Sequence, residues 1–311
     1  MLFTNAVQLT LLAGVAAAQS GTSYSVKTPP LDTPWTYEVG TNPWSEYPRP
    51  QLQRSQWQNL NGIWRYQNAS SLNAVNSPPF NSTLANEVLI PSCLESGLSG
   101  IQGINAFYSW FSTSFTVPSK WTGDRVLLNF GAVDYEATVF VNGHNVTFHR
   151  GGYFRFSVDV TEYLSASGTN DLLVFVHDPT DSGDTVIPIG KQTLRPSHIF
   201  YRPCSGIWQQ VWIESAGSEN YITELDLDAN MDGQVNMTVH TSSSNPTPVH
   251  VTIRLKGPRG PTSVVASSNG TSDSPFKFTV PNPCLWSPDS PNLYAVTVTM
   301  GNDVIQSYTG F

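Results

Sequence analysis

Short segments in which hydrophobic and polar residues alternate follow one another through much of the chain. In "FRFSVDV" the apolar residues, beginning with Phe154 and Phe156, alternate with polar ones, so this segment predicts a strand with those side chains inward. In "EATVFVNGHNVTFH" two such segments flank Asn142-Gly143, which predicts a two-residue type I′ hairpin turn because both residues tolerate positive φ. Helix signals are scarce. The first half of the chain is therefore predicted to be a β-sandwich or barrel.

The second half repeats the strand pattern after "SAGSEN", a small polar segment from Ser215 to Asn220 that we interpret as a linker. Beyond it, about six or seven strand-like segments fall within about 90 residues, which suits an immunoglobulin-like sandwich. The last of them, "YAVTVTMGNDVIQSY", predicts a hairpin with its turn at Gly301-Asn302-Asp303. Residues 19–48 are rich in Pro, Thr and Ser without periodicity, so we expect an extended N-terminal arm there.

The first residues of the chain have the pattern of a secretion signal. An apolar run from Val7 to Ala17, with small residues at Ala16 and Ala18, predicts a signal peptide over residues 1–18 that is cleaved before Gln19. The run is about half the ~20 apolar residues that span a bilayer, so we do not expect a membrane protein. Five Asn-x-Ser/Thr sequons fit a secreted, extracellular glycoprotein. The candidate N-glycosylation sites are Asn68, Asn81, Asn145, Asn236 and Asn269.

Charge and cysteine content narrow the classes of partner. The formal net charge is −8, and the chain has no basic run, which argues against nucleic acid or an anionic membrane as a partner. Three cysteines, Cys93, Cys204 and Cys284, permit at most one intramolecular disulfide and leave the pairing open. The chain has no Cys-x-x-Cys or His-x-x-x-His spacing, so we expect no structural zinc site.

Two acidic groups are the first candidates for chemistry. Asp134 and Glu136 lie two residues apart on a predicted strand and would therefore share one face. The pair is a candidate because glycosidases use two carboxyl groups that lie near each other. A solvated strand face or an ion pair with a nearby arginine is the simpler interpretation. Asp178, Asp181 and Asp184 in "DPTDSGD" offer oxygen ligands for Ca²⁺ from one loop. Their spacing is not that of an EF-hand, so we favour a solvated loop and expect no metal.

Several longer segments resemble glycoside hydrolase family 2, the family of β-galactosidases, β-glucuronidases and β-mannosidases. In family order and at family spacing they are "RPQLQRSQWQNLNGIWRYQ", "IPSCLESGLSGI", "FYSWFSTSFTVPSKWTGDRVLLNFGAVDYEATVFVNGHNV", "HRGGYFRFSVDVTEYL", "YRPCSGIWQQVWIE" and "LWSPDSPNLYAVTVTM". The resemblance covers the chain from Arg49 to Phe311. It implies an all-β fold with a jelly-roll (galactose-binding-like) β-sandwich, the sugar-binding domain, over residues 49–215. An immunoglobulin-like β-sandwich over residues 220–311 would follow.

The resemblance also implies where the family's chemistry lies. Its third domain, a (β/α)₈ barrel, carries both working glutamates of a retaining double displacement, and we expect it to follow the last residue. Neither glutamate can be assigned here, because Asn86-Glu87 lies at a position that the family does not use. In some relatives an acidic residue before the Ser-Gly-Ile-Trp-like motif reaches the sugar. Phe200 occupies that position here, and Ser197 and His198 are the nearby candidates for carbohydrate contact.

These observations lead to one principal expectation and one alternative. The chain is expected to be the non-catalytic N-terminal region of a secreted retaining β-glycosidase, whose intact form hydrolyses O-glycosyl bonds of a β-linked glycoside without a cofactor. The alternative is a stand-alone secreted carbohydrate-binding module. The identity of the sugar is left open, because specificity in the resembling family is set mostly in the barrel.

Overall fold

The computed structural model is nearly all β, and its elements form two separate domains. It describes residues 23–103, 106–165, 168–183, 186–257 and 260–311. The predicted signal peptide (1–18), the first residues of the N-terminal arm and Asp184 lie outside the described residues. Within the described ranges, no helix is both long and apolar enough to cross a membrane.

The first domain, hereafter the jelly-roll domain, consists of two antiparallel sheets packed face to face. Its strands are β1 (Trp57–Asn59), β2 (Gly62–Asn68), β3 (Asn86–Ile90), β4 (Tyr108–Thr116), β5 (Arg125–Phe130), β6 (Glu136–Val141), β7 (His144–Arg150), β8 (Phe156–Asp159), β9 (Thr169–His177) and β10 (Val211–Ala216). One sheet has the order β3-β2-β4-β9-β6-β7, and the other has the order β1-β10-β5-β8. Side chains from both sheets form the main core, including Trp64, Phe111, Leu128 and Ile213.

The six-stranded sheet is buried on both faces near its centre. On β9, Leu172, Val174 and Val176 enter the main core, whereas Leu173 and Phe175 lie on the opposite, outer face. This explains why "LLVFV" is a continuous apolar run rather than an alternating one. The outer-face residues form a second, smaller cluster that includes Leu84, Trp110 and Phe140.

The second domain, hereafter the immunoglobulin-like domain, also packs two main antiparallel sheets around its own core. Its strands are β11 (Ile222–Ala229), β12 (Gln234–Thr241), β13 (Pro248–Gly257), β14 (Gly260–Thr271), β15 (Phe276–Thr279), β16 (Trp286–Ser287), β17 (Ser290–Pro291), β18 (Tyr294–Met300) and β19 (Asp303–Thr309). The sheets have the orders β11-β12-β15 and β14-β13-β18-β19, and β16 pairs with β17. The fold class predicted from the sequence, two successive β-sandwiches, is confirmed.

Helices are short and lie between strands. The one α-helix described is α1 (Trp35–Glu38), in the N-terminal arm. Four 3₁₀ helices occupy connections of the jelly-roll domain: Leu72–Asn76, Gly97–Ser99, Ser119–Trp121 and Thr161–Tyr163.

A buried ion-pair network connects the two domains. The Arg54 guanidinium contacts Glu214 of β10 at 2.7 Å and Asp303 of β19 at 2.7 Å, and Arg49 reaches the same Glu214 at 2.6 Å. Leu52 belongs to the core of the immunoglobulin-like domain, although the sequence interpretation placed residues 49–215 in the first domain. The segment from Arg49 to Arg54 therefore belongs to both units.

The opposite charges of this network stabilise each other's ionised forms. Burial acts to raise the pKa of Glu214, but the charges of Arg49 and Arg54 outweigh it and hold this pKa below its usual range. Glu214 has no exposed surface and Asp303 is 2% exposed, so neither carboxylate has water as an alternative partner.

Two local predictions had different outcomes. Asn142 and Gly143 both have positive φ, +49° and +84°, which confirms the predicted hairpin turn between β6 and β7. The inward position predicted for Phe154 is wrong, because this side chain is 72% exposed. Strand β8 begins only at Phe156, where it pairs with Phe130, and Phe154 lies in the turn before it. Alternation alone does not separate a strand from the turn that precedes it.

Candidate functional site

The predicted carbohydrate contacts lie on an exposed loop of the jelly-roll domain. Within residues 186–203 the chain folds back on itself, as Thr193 donates its backbone N–H to Tyr201 and Tyr201 donates to Lys191, both at 2.8 Å. Ser197 and His198 lie at the tip and are exposed, and the Ser197 carbonyl accepts a hydrogen bond from the Phe200 N–H at 3.0 Å. The structure thus brings the two predicted residues together on an accessible surface.

Large apolar side chains are exposed on this loop and on the neighbouring turn, and we call them the loop patch. The patch comprises Tyr153 and Phe154 of the neighbouring turn and Ile199, Phe200 and Tyr201 of the loop, which are 48 to 72% exposed. The Gln192 side-chain amide ties the two parts together by donating to the Tyr153 hydroxyl at 3.2 Å. Grouped exposed apolar residues are typical of a surface that contacts another protein element or a ligand.

Three buried carboxyl groups lie behind the loop, and we call them the carboxyl cluster: Glu95, Asp134 and Asp178. Each is less than 10% exposed. Burial, followed by the negative charge of Asp178, raises the pKa of Asp134 to about 7. Burial also raises the pKa of Glu95, although hydrogen bonds from Ser205 oppose this shift. Like charges in a poorly hydrated region thus favour a protonated form of Asp134.

Neighbouring donors bond to two members of the carboxyl cluster. Ser205 donates to Glu95 from its backbone N–H at 3.0 Å and from its hydroxyl at 2.6 Å. Thr180 donates to one oxygen of Asp178 in the same double manner, at 2.9 and 2.6 Å. These bonds direct the carboxyls toward the protein. The arrangement positions the loop and its base, and it offers a sugar no pair of free carboxylates.

Asp134 packs against two positions at which only glycine fits. Its backbone exchanges two hydrogen bonds with Gly206, at 2.9 and 3.0 Å. A Cβ added to Gly152 would lie 2.5 Å from the Asp134 carboxyl, which is closer than such contacts allow. Gly206 has φ +94° and a Cβ there would meet Phe111 at 3.0 Å. The Gly-Gly pair in "HRGGY" therefore lets the turn close over Asp134.

A disulfide fixes the base of the loop. Cys93 and Cys204 are bonded, with their Cα atoms 4.6 Å apart, and Cys284 is free and exposed. Because Cys204 immediately precedes Ser205, the bond holds the end of the loop next to Glu95. The pairing that the sequence left open is thereby decided.

The other acidic candidates do not converge on one site. Glu136 lies on the outer sheet face and forms ion pairs with Arg150 at 2.7 Å and His177 at 2.9 Å, whereas Asp134 belongs to the carboxyl cluster. Asp181 accepts hydrogen bonds from the Thr193 hydroxyl and the Leu194 N–H. In the described part of the chain, no group of three His, Cys, Asp or Glu side chains is arranged to hold a metal ion.

The carboxyl cluster predicts an unusual dependence of stability on pH. Folded Asp134 keeps its proton up to about pH 7, whereas in the unfolded chain it loses it near the usual pKa of 3.8. The free energy of unfolding should therefore fall as the pH rises from about 4 to about 7, by at most about 4 kcal/mol. Replacing Asp134 with asparagine should remove much of this loss and raise the stability by about 2 kcal/mol at pH 8. Urea unfolding at pH 5 and pH 8 measures the effect.

The matched control for this experiment is Asp171→Asn, at an exposed position of β9. It should leave both the stability and its pH dependence within about 0.5 kcal/mol of the parent chain. An Asp134→Asn variant that is less stable than the parent at pH 8 would contradict the assignment of a destabilising buried charge.

Comparison with known proteins adds the family. The sequence model of "Glycosyl hydrolases family 2, sugar binding domain" matches residues 100–211, and that of "Glycosyl hydrolases family 2" matches residues 219–311. The chain belongs to glycosyl hydrolase family 2. The resemblance inferred from the motifs is thus confirmed, and the two matched regions lie in the jelly-roll and the immunoglobulin-like domains.

Similar family 2 proteins include bacterial β-glucuronidases and β-galactosidases. A putative β-glucuronidase of Formosa agariphila is 27% identical over 284 residues, which is 85% of this chain and 32% of that protein. A β-galactosidase of Thermoanaerobacter pseudethanolicus is 28% identical over 218 residues, 65% of this chain and 28% of that protein. A solved β-glucuronidase from Ruminococcus gnavus, in complex with D-glucuronic acid, has a TM-score of 0.62 at 21% identity, over 84% of this chain and 47% of that one. The chain thus spans less than half the length of these relatives.

The sequence motifs of this family 2 chain led to the loop that carries the predicted carbohydrate contacts, but they did not reveal the carboxyl cluster behind it. Ser197 and His198 were identified from their spacing before Gly206 in the Ser-Gly-Ile-Trp-like motif. Glu95 and Asp178 were not connected with Asp134, because they are far apart in sequence. The available signals were the polar residues beside Cys93 and Cys204, which become neighbours once the disulfide is known.

The five candidate glycosylation sites of the family 2 chain are all exposed: Asn68, Asn81, Asn145, Asn236 and Asn269. Asn269 also contacts His250 at 2.8 Å, and the Asn68 side chain accepts a hydrogen bond from the Tyr66 hydroxyl. Each side chain is therefore accessible, and modification stays a prediction.

Proposed function

We propose that this chain is the non-catalytic N-terminal region of a secreted retaining β-glycosidase and forms the scaffold beside its catalytic domain. The observation that carries the proposal is the match of two successive domains, in family order, to glycosyl hydrolase family 2. The relatives named above are β-glucuronidases and β-galactosidases that are more than twice as long as the matched region. The intact protein would then act on a β-linked glucuronide or galactoside.

The loop patch supports a scaffold role. Its exposed rings lie on a loop whose base is fixed by the Cys93–Cys204 disulfide and whose inner side rests on the carboxyl cluster. A rigid base under an apolar tip suits a surface that packs against a further domain near the sugar. Ser197 and His198 would contribute polar contacts at that border.

The carboxyl cluster supports the absence of catalysis by these residues. A retaining glycosidase needs one carboxyl as acid and a second as nucleophile, both facing the substrate. Here Glu95 accepts hydrogen bonds from Ser205 and Asp178 accepts them from Thr180, and the two carboxyl residues are 8% and 2% exposed. The working carboxylates of the intact protein would come from outside this chain, and the reaction would use no cofactor.

The purified chain should not hydrolyse p-nitrophenyl β-D-glucuronide, β-D-galactoside or β-D-mannoside above the rate in buffer, because its carboxyl cluster offers no pair that faces a substrate. Release of p-nitrophenol measures turnover, with a full-length bacterial β-glucuronidase as the positive control.

Sedimentation of the same sample should show self-association with rising concentration, because the loop patch is uncovered.

The matched comparison is a double variant, Ile199→Ser with Phe200→Ser, which should sediment as a monomer. Hydrolysis by the parent chain that persists through purification would overturn the scaffold proposal. A monomeric parent chain at all concentrations would favour the stand-alone binding module instead.

A further inference from the structure

A cleft lies on the outer face of the six-stranded sheet, on the side that faces away from the main core. Its volume is about 480 Å³, a size typical of small-ligand sites. Strands β6, β7 and β9 form its floor, and the 3₁₀ helix Leu72–Asn76 forms one wall. Neither the loop patch nor the carboxyl cluster contributes a residue to its lining.

One aromatic ring in the cleft is left uncovered. Phe148 of β7 pairs across the sheet with Thr138, which in turn pairs with Phe175 of β9. Phe175 is 2% exposed beneath the small outer cluster, whereas Phe148 is 55% exposed. The Arg150 guanidinium lies over the Phe148 ring, 5.8 Å from its centre, in a cation–π contact. An exposed ring on a rigid strand is a platform on which an apolar ligand face can stack.

Fixed polar groups flank this platform. Glu136 accepts a hydrogen bond from Arg150 through one oxygen at 2.7 Å and contacts His177 through the other at 2.9 Å. The His177 ring stacks on Tyr108 with the ring centres 5.0 Å apart, which holds the row in place. Each carboxylate oxygen has a further lone pair for a hydroxyl donor. Asn73 and Asn76 add side-chain amides at the rim.

Stacking surface and planar polar groups together match the chemistry of a pyranose ring, which has an apolar C–H face and hydroxyl groups at its edge. The charged groups beside Phe148 favour a neutral sugar over an acidic one. The Arg150 guanidinium beside Phe148 is already paired with Glu136, and the carboxylate of an acidic sugar would lie close to that same glutamate.

We propose that this cleft is a non-catalytic binding site for a neutral β-linked hexose oligosaccharide, with one ring stacked on Phe148 and its hydroxyls bonded to Glu136 and the rim amides. The site goes beyond the proposed scaffold function. It lies on the sheet face, whereas Ser197 and His198 lie on the loop, so it would retain a polysaccharide without taking part in its cleavage.

The test uses the full chain produced in an oxidising bacterial host, so that the disulfide forms and the sequon at Asn145 stays unmodified. Cellotetraose and β-1,4-galactotetraose are titrated separately and followed by saturation-transfer and amide chemical-shift NMR. At least one should bind with a dissociation constant of about 1 mM, as expected for one partly buried ring. Phe148→Ala should weaken binding at least tenfold, and Phe148→Trp should retain it.

Trp286→Ala is the control, because Trp286 is an exposed aromatic residue of the immunoglobulin-like domain that belongs to neither the cleft nor the loop patch. It should bind as the parent chain does. Thermal unfolding of Phe148→Ala should stay within about 2 °C of the parent, since the ring is mostly solvated. Glu136→Gln, which keeps the ring, should weaken binding severalfold and provides an independent second variant.

Two results would overturn the site: no binding of either oligosaccharide at tens of millimolar, or equal affinities of Phe148→Ala and the parent chain. Loss of binding in Trp286→Ala would place the sugar on the immunoglobulin-like domain and also overturn it. Turnover of aryl glycosides bears only on the scaffold proposal, so the two proposals fail separately.

Discussion

Replacing both Cys93 and Cys204 with alanine should lower the free energy of unfolding of the jelly-roll domain by about 4 kcal/mol. The bond joins residues 111 apart, and a crosslink over a loop of this length removes much of the conformational freedom of the unfolded chain. A loss of this size should lower the midpoint of thermal unfolding by about 10 °C for a domain of this size. Differential scanning calorimetry measures the shift.

The free cysteine provides the control for this double variant. Cys284 is exposed and unpaired with another cysteine, so Cys284→Ala should change the stability by less than about 0.5 kcal/mol. The double variant should also be cleaved faster by protease within residues 186–203, because the base of the loop is released beside Ser205. A double variant with the stability of the parent chain would show that the bond contributes little to the folded state.

Replacing Arg54 with methionine should destabilise the chain by about 3–5 kcal/mol. The substitution retains an apolar stem of similar length but removes the cation between Glu214 and Asp303, so that the buried Asp303 carboxylate loses its charge partner. Arg49 can still pair with Glu214, so the uncompensated charge should fall mainly on Asp303. Urea unfolding followed by tryptophan fluorescence should show a lower midpoint and separate transitions of the two domains.

A surface ion pair is the matched control for this change. Arg65 contacts Glu87 at 3.3 Å with its side chain 46% exposed, so Arg65→Met should cost less than about 0.5 kcal/mol. Equal effects of Arg54→Met and Arg65→Met would contradict the view that burial makes the first pair essential. A single cooperative transition in Arg54→Met, at the parent midpoint, would show that the two domains stay together without the Arg54 cation.

The strands were predictable from sequence because burial of one sheet face produces a local alternation of apolar and polar residues. Val296, Val298 and Met300 of β18 alternate with threonines and are buried, as the pattern indicated. The hairpin at Asn142-Gly143 was predictable for a related reason, since few residues accept its positive φ. Phe154 shows the limit: its apolar character fits an inward strand position, but the turn that closes over Asp134 leaves it in solvent.

The candidate site was predictable only in part. Motif spacing placed Ser197 and His198 near a sugar-facing edge, and the structure finds them on the accessible tip of a loop. The carboxyl cluster behind that loop combines residues 95, 134 and 178, which come from three separate connections of the fold. Such long-range proximity leaves no periodic signal in the sequence, because the three residues are far apart along the chain.

By itself, the sequence determined the all-β character, the succession of two sandwiches and the family, because hydrophobic period, turn residues and ordered motifs are local properties. The tertiary structure decided which two cysteines pair, where Phe148 is left uncovered, and that Arg54 lies between Glu214 and Asp303. These features depend on how the sheets pack against each other. Only that packing sets which groups lose water, and loss of water determines whether a charge, a ring or a thiol needs a partner.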